Sequence, residues 1–233
     1  MKVILSGHEG SKQILSASSY LLAKYLKDDF DVYFLNYGKF DGHLSMGKYI
    51  SLDETQEGGV HSWSWYIADY LKTLTDEFII FALDDYLLSG EINIDIYKEL
   101  LQTIRPDKDK VCARLCTSDF YQEVYRQYFG NGLIILNKGA EYSCTTQYCI
   151  WRREFLIELL GKVNTPWEFE IVGSRNLNES GKKVIGSIIP AMQYPDCSAL
   201  SSKWPGVRIA GNKVEDVKVL IEAGYLNKET ING

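Results

Sequence analysis

The sequence predicts an α/β fold: a mixed, mainly parallel β-sheet flanked by helices, formed as a single domain over residues 1–233. Three observations carry this expectation. Short apolar, β-prone runs alternate with segments of helical periodicity through residue 116. The run FIIFAL at 78–83 is apolar without interruption, as a strand covered on both faces must be. The chain has 233 residues, 45% hydrophobic and 24% charged, enough to bury a sizeable core at ordinary globular composition.

The elements follow in order. KVILS (2–6) reads as a first strand, and GHEG as the turn after it. Residues 12–27 place Ile14, Ala17, Ser18, Leu21, Leu22 and Tyr25 at helical spacing. DVYFLN (31–36) is a second strand, so the opening reads as a parallel βαβ unit. Residues 37–61 read as a long irregular loop, and long loops in compact domains are often functional. SWSWYIADYLKTL (62–74) is an amphipathic helix with Ser62 as its N-cap. EFIIFAL (77–83) is a central parallel strand. NIDIYKELLQTI (93–104) is a helix closed by Arg105-Pro106, and VCARLC (111–116) another strand.

From 117 to 150 the pattern becomes short, Tyr-rich and Gly-broken, which fits strands or extended loops. RREFLIELLGK (152–162) is a helix with Gly161 as its C-terminal stop. Thr165 and Pro166 are placed as the N-cap and first residue of a helix over 165–176. KVIGSII (183–189) is a strand, and 213–226 is a last amphipathic stretch. Within the single domain, 1–116 is expected to be a nucleotide-binding half, 117–205 an acceptor and catalytic half, and 206–233 a helical tail.

Lys plus Arg number 25 and Asp plus Glu 31, a formal net charge of 25 − 31 = −6. That balance argues against broad nucleic-acid binding, which needs a positive surface to displace counterions. Five cysteines without a CxxC pair read as free thiols in a reducing compartment, and the expected location is cytoplasmic. Cys112 and Cys116 are four apart but lie in a strand-like run, a poor frame for zinc. No apolar run approaches the ~18 residues of a membrane span. The aromatic load, with 16 Tyr and 5 Trp, suits both cores and the flat faces of sugars and bases.

Two features carry chemistry. Asp84 and Asp85 close the apolar strand, and in open α/β sheets ligands bind beyond the carboxyl ends of the strands. Two hard oxygen ligands there suit Mg²⁺ or Mn²⁺; a solvated turn is the competing reading. Later, TPWEFE offers Glu168 and Glu170 at a helix start, where they also suit the helix dipole. On a helix the two project roughly 200° apart, so one of them faces any given site. His8 and Glu9 in the GHEG turn, and His61 at a helix start, are candidates to contact a nucleotide. Arg152 and Arg153 are candidates for a diphosphate or for plain solvent exposure. GxxxxGKS, GxGxxG and GxSxG are all absent.

LDDY at 83–86 resembles the metal-binding segment of GT-A-fold glycosyltransferases, where a hydrophobic strand ends in a DxD-type motif. Here the pair is DD, with no Asp two positions from another, and no His follows His61. The order of DDY, YCIWRREFLIELL and NTPWEFE resembles a group of small bacterial and viral GT-A-like sugar transferases over about residues 1–205. The resemblance implies a GT-A-like fold and transfer of a sugar from a nucleotide-diphosphate donor to a glycan, polysaccharide or other hydroxyl acceptor. It implies that Asp84 and Asp85 hold Mg²⁺ or Mn²⁺ and the diphosphate, with Glu170, or alternatively Glu168, as base. Trp167 would wall the sugar, and Lys203 in SKW would neutralise phosphate charge. A sugar nucleotidyltransferase and a non-catalytic carbohydrate-binding or assembly protein are the competing functions.

Overall fold

The computed structural model describes residues 1–7, 9–26, 29–52, 62–116, 126–128, 130–194, 207–208 and 212–232. His8, His61, Lys203 and Cys197 lie outside the described residues, and Glu9 is placed by its backbone alone. The chain is a mixed α/β fold that divides into two compact units.

The first unit comprises Met1–Thr55, Ala82–Ile92 and Met192–Gly233. Strands β1 (Lys2–Ser6), β2 (Asp31–Tyr37) and β3 (Lys48–Leu52) form consecutive parallel ladders, with Val3 opposite Val32 and Tyr33 opposite Lys48. A 3-10 turn (Glu9–Ile14) leads into α1 (Leu15–Tyr25). The six residues predicted for its inner face, from Ile14 to Tyr25, are all at most 2% exposed. The third strand was not expected, since 37–61 read as loop. KYISL is a half-exposed edge strand whose burial follows no apolar run, so it left no periodic signal.

Helix α7 (Val214–Glu222) also belongs to this unit. Its Asp216 is fully buried and accepts hydrogen bonds from Lys24 Nζ and Tyr25 Oη. Burial and that bond push the Tyr25 hydroxyl up to about 12. Lys213 Nζ stands 5.1 Å from the Tyr25 ring centroid. A buried carboxylate thus pins the C-terminal helix to α1, and such a charge is tolerated only when paired. Two short strands, β10 (Val207–Arg208) and β11 (Ile231–Asn232), pair in parallel.

The second unit comprises Gln56–Phe81 and Asn93–Ala191. It holds α2 (Trp63–Lys72), most of β4 (Phe78–Leu83), α3 (Ile94–Ile104), β5 (Lys110–Arg114), β6 (Arg126–Tyr128), β7 (Leu133–Leu136), β8 (Cys149–Arg152), α4 (Arg153–Leu160) and β9 (Lys183–Ser187). Strand order runs β4-β8-β5-β9-β7-β6. Strand β8 is antiparallel to both neighbours, Ile150 lying opposite Ile80 and Ala113. The Ile150-Trp151 pair therefore lies on this inserted strand, one residue ahead of the helix.

Several local signals act where the sequence placed them. Ser62 Oγ accepts from Trp65 N and Thr165 Oγ1 from Glu168 N. Gly161 caps α4, but at φ −68, so its left-handed freedom is unused. Cys112, Cys116, Cys144 and Cys149 are buried thiols outside any disulfide. Among the described residues no helix is long and apolar enough to cross a membrane.

The predicted helix over 165–176 forms with a defect. A short helix α5 (Pro166–Glu168) passes into a π-helical turn, Phe169–Gly173, before α6 (Ser174–Ser180). Phe169 is fully buried, with ring centroids 6.2 Å from Trp63, 6.2 Å from Phe81 and 5.8 Å from Trp151. This aromatic cluster anchors the π turn that carries Glu170.

Candidate functional site

Two groups of polar side chains stand out, one in each unit. In the first, β4 delivers Asp84 and Asp85 at its carboxyl end, 2% and 6% exposed. Asp84 N donates to Ser6 O at 3.0 Å, so the pair emerges beside the end of β1. Ser11 Oγ donates to Asp84 Oδ2 at 2.7 Å, and Asn36 Nδ2 donates to the same oxygen at 3.4 Å. Asn36 Nδ2 also reaches Ser11 Oγ at 2.9 Å, and both residues are fully buried. Gly7 closes the cradle: a β-carbon there would stand 1.9 Å from Asp84 Oδ2 and 2.3 Å from Ser11 Oγ.

Burial, and then the charge of Asp85, holds the Asp84 carboxyl well above the usual carboxylate range; the Ser11 bond opposes this. Unpaired buried charge is costly, and among the described residues no cationic side chain bonds to Asp84. The solvated-turn reading does not fit carboxylates this buried. Two adjacent hard oxygen donors fit a divalent cation, whose charge would favour the ionised pair. Among the described residues no group of three or more His, Cys, Asp or Glu is arranged to hold a metal.

The second group centres on Glu170. Its Oε1 accepts from Thr146 N at 3.0 Å, Thr146 Oγ1 at 2.8 Å and Thr145 Oγ1 at 3.3 Å. Among the described residues Oε2 receives no hydrogen bond, while Glu170 lines a cavity of about 710 Å³. One oxygen is thus fixed by three donors, and the other accepts none among the described residues. The cavity wall includes Tyr142, held at φ 54, and Arg175. A non-glycine residue at positive φ is uncommon, and such strain clusters at functional positions. A π-helical turn at the site belongs to the same pattern.

Glu168 sits differently. Thr165 Oγ1 accepts from Glu168 N at 3.1 Å, while Glu168 Oε2 accepts from Asn164 N at 2.7 Å and Asn164 Nδ2 at 3.2 Å. This is a variant of the capping box, reaching one residue further back than usual. Trp167 is 63% exposed, its ring available to a ligand.

Arg152 and Arg153 are committed elsewhere. Arg152 donates to the carbonyls of Ile104, Arg105, Asp107 and Lys110 and to Glu77. Arg153 donates to the carbonyls of Leu71 and Asp76 and to Glu154. Both close chain ends around the sheet, so neither the diphosphate nor the plain surface reading describes them.

Sequence reasoning did not find Gly7, Ser11, Asn36, Thr145 or Thr146. Ser11 and Asn36 are ordinary polar residues whose importance appears only when the fold brings them to Asp84. Gly7 carried one signal, its place in a glycine-flanked turn directly after a strand.

No family model matches the chain, and no curated protein matches it. Among solved structures it is similar to S. aureus TarS (residues 1–349), at 14% identity and TM-score 0.51 over 82% of this chain. The same TarS fragment in complex with UDP gives 12% identity and TM-score 0.50. The chain spans about three fifths of that fragment, 59% in both comparisons. CMP:2-keto-3-deoxy-manno-octonic acid synthetase complexed with CTP gives 13% identity and TM-score 0.47 over 84% of this chain and 92% of that one. At 12–14% identity the likeness to TarS establishes the fold alone, the mixed α/β arrangement of sheet and flanking helices that the sequence predicted.

Proposed function

We propose that the protein is a glycosyltransferase that moves a sugar from a nucleotide-diphosphate donor to a hydroxyl-bearing glycan acceptor. The observation that carries this is the buried Asp84–Asp85 pair at the carboxyl end of β4, cradled by Ser11, Asn36 and Gly7. Two buried carboxylates at the carboxyl end of a strand suit a divalent cation that a phosphate-bearing ligand also meets. The fold is one that in TarS accommodates UDP.

Asp85, with Asp84 behind it, would hold Mg²⁺ or Mn²⁺ together with the donor diphosphate. When bound, the cation offsets charge gathering on the leaving diphosphate. The Ser11–Asn36 network fixes the Asp84 carboxyl beside Asp85. Glu170 Oε2 takes the proton of the acceptor hydroxyl as its oxygen bonds to the anomeric carbon. The bond from that carbon to the diphosphate breaks, and the diphosphate leaves with the electron pair. Glu170 is favoured over Glu168 because its Oε2 receives no hydrogen bond among the described residues and the residue lines a cavity, whereas the Glu168 carboxylate closes its own helix start. Trp167 offers an apolar face to a sugar ring. His8, Glu9, His61 and Lys203 remain proposed nucleotide contacts.

The test is product analysis with UDP- and GDP-sugars, Mn²⁺ and a panel of oligosaccharides. Release of nucleoside diphosphate with a glycosylated acceptor supports the reading. Pyrophosphate release from a nucleoside triphosphate and a sugar phosphate would instead identify a nucleotidyltransferase.

A further inference from the structure

A second cavity adjoins the one that Glu170 lines. It holds about 210 Å³, several times the ~30 Å³ that one water occupies in the liquid. Lys138 and Asn178 line both cavities, so the two are neighbours in the second unit. Their charges differ. The larger cavity sets Glu141, Glu170 and Glu179 against Lys138 and Arg175. The smaller is lined by Lys138, Lys182 and Lys183, with no carboxylate in its described wall.

The nearest acids stand outside that wall. Lys182 Nζ pairs with Asp109 Oδ1 at 2.8 Å, and Asp107 lies within the field of Lys183. The described wall itself carries three ammonium groups, one paired to an outside acid, and Lys138 is shared with the glutamate-bearing wall of the larger cavity. The polar floor is pre-set: Asn178 Nδ2 donates to Ala140 O at 3.3 Å, and Ser143 Oγ donates to the same carbonyl at 2.6 Å. In a chain of net charge −6, a concave wall with three lysines beside a poised carboxylate is not explained by solubility.

We propose that this cavity is an anion subsite and that the acceptor is a glycan carrying a phosphate or carboxylate. Its charge would rest among Lys138, Lys182 and Lys183 while a hydroxyl of the same molecule reaches Glu170. Calling the ligand an acceptor rests on the transferase reading; the anion subsite itself does not.

The test compares glucose 6-phosphate with glucose as probes, titrated into the intact protein by calorimetry at low salt. The sugar phosphate should bind at least about tenfold tighter than glucose, the scale expected when an anion meets several ammonium groups near a surface. Raising the salt should erode that preference. A Lys138→Gln, Lys182→Gln, Lys183→Gln triple variant should bind both probes at the glucose level and keep its UDP affinity. Equal binding of the two probes overturns the proposal, as does unchanged sugar-phosphate binding in the folded triple variant. A parallel loss of UDP affinity would also overturn it, because the cavity would then serve the donor phosphates. If UDP fails to bind at all while the probes are still discriminated, the transferase reading falls and the anion subsite stands.

Discussion

Gly7→Ala tests the Asp84 cradle at its tightest point. The backbone of Gly7 is not in the left-handed region, so alanine strains nothing by itself; the obstacle is space. The new β-carbon would meet Asp84 Oδ2 at 1.9 Å, Ser11 Oγ at 2.3 Å and Asp84 Cγ at 2.5 Å. All three belong to fully packed side chains, so Asp84 or Ser11 must leave its place. Overpacking costs about 1–3 kcal/mol. Breaking the 2.7 Å Ser11–Asp84 bond adds about 1.5–3 kcal/mol when a charged partner is involved. A total of about 2.5–6 kcal/mol, at roughly 2–4 °C per kcal/mol for a chain of this size, lowers Tm by about 5–24 °C. Urea unfolding measures the loss, and calorimetry at a temperature where the variant stays folded measures UDP affinity, which should fall at least about tenfold. A variant with the wild-type urea midpoint and wild-type UDP affinity would refute the reasoning.

The remaining predictions concern pH, catalysis and two structural ties. The Asp84 carboxyl is raised above its ordinary 3.8, so between that value and its folded value the native state holds the extra proton and stability falls as pH rises. Asp84→Asn removes this penalty, and its stability relative to wild type in urea should improve from pH 4 to pH 7 while nucleotide binding weakens; an equal difference at both pH values would count against it. Glu170→Gln should lower kcat by about 10²–10⁴-fold, the usual contribution of a general base, with UDP affinity unchanged. Asp216→Ala strands the Tyr25 hydroxyl and the Lys24 ammonium and should cost about 3 kcal/mol in urea unfolding, with UDP affinity retained once folded. Arg152→Ala, which unties four carbonyls, should destabilise by about 2–4 kcal/mol and also leave UDP affinity unchanged.

Much of the fold was readable because its signals are local. The β1–α1–β2 opening, the apolar β4 and the caps at Ser62 and Thr165 each follow from periodicity or from one side chain meeting one amide. Strand β3 was missed because a half-exposed edge strand carries no apolar run. Strand β8 lay in a region read only as strands or extended loops, since its antiparallel insertion between β4 and β5 depends on pairing partners distant in sequence. The π turn at Phe169–Gly173 has the composition of an ordinary helix; the buried Phe169 ring, packed among Trp63, Phe81 and Trp151, goes with its formation.

The site divides along the same line. The acidic strand end and the acidic helix start were visible as residue types in suggestive places. What distinguishes Glu170 from Glu168 was not visible, because Thr145 and Thr146 lie about 25 residues away and reach Glu170 only in the folded chain. The same holds for Ser11 and Asn36 at Asp84. Arg152 misled for the converse reason: a cationic side chain beside a tryptophan resembles a ligand contact until its carbonyl partners are known.

The most direct measurement is calorimetric titration of the folded protein with UDP and with GDP, in Mn²⁺ and in EDTA, repeated on Asp85→Ala. Binding of at least one nucleoside diphosphate, tightened by Mn²⁺ and lost in the folded variant, is the expected result. No binding of either nucleotide to folded wild-type protein under any of these conditions would contradict the glycosyltransferase reading.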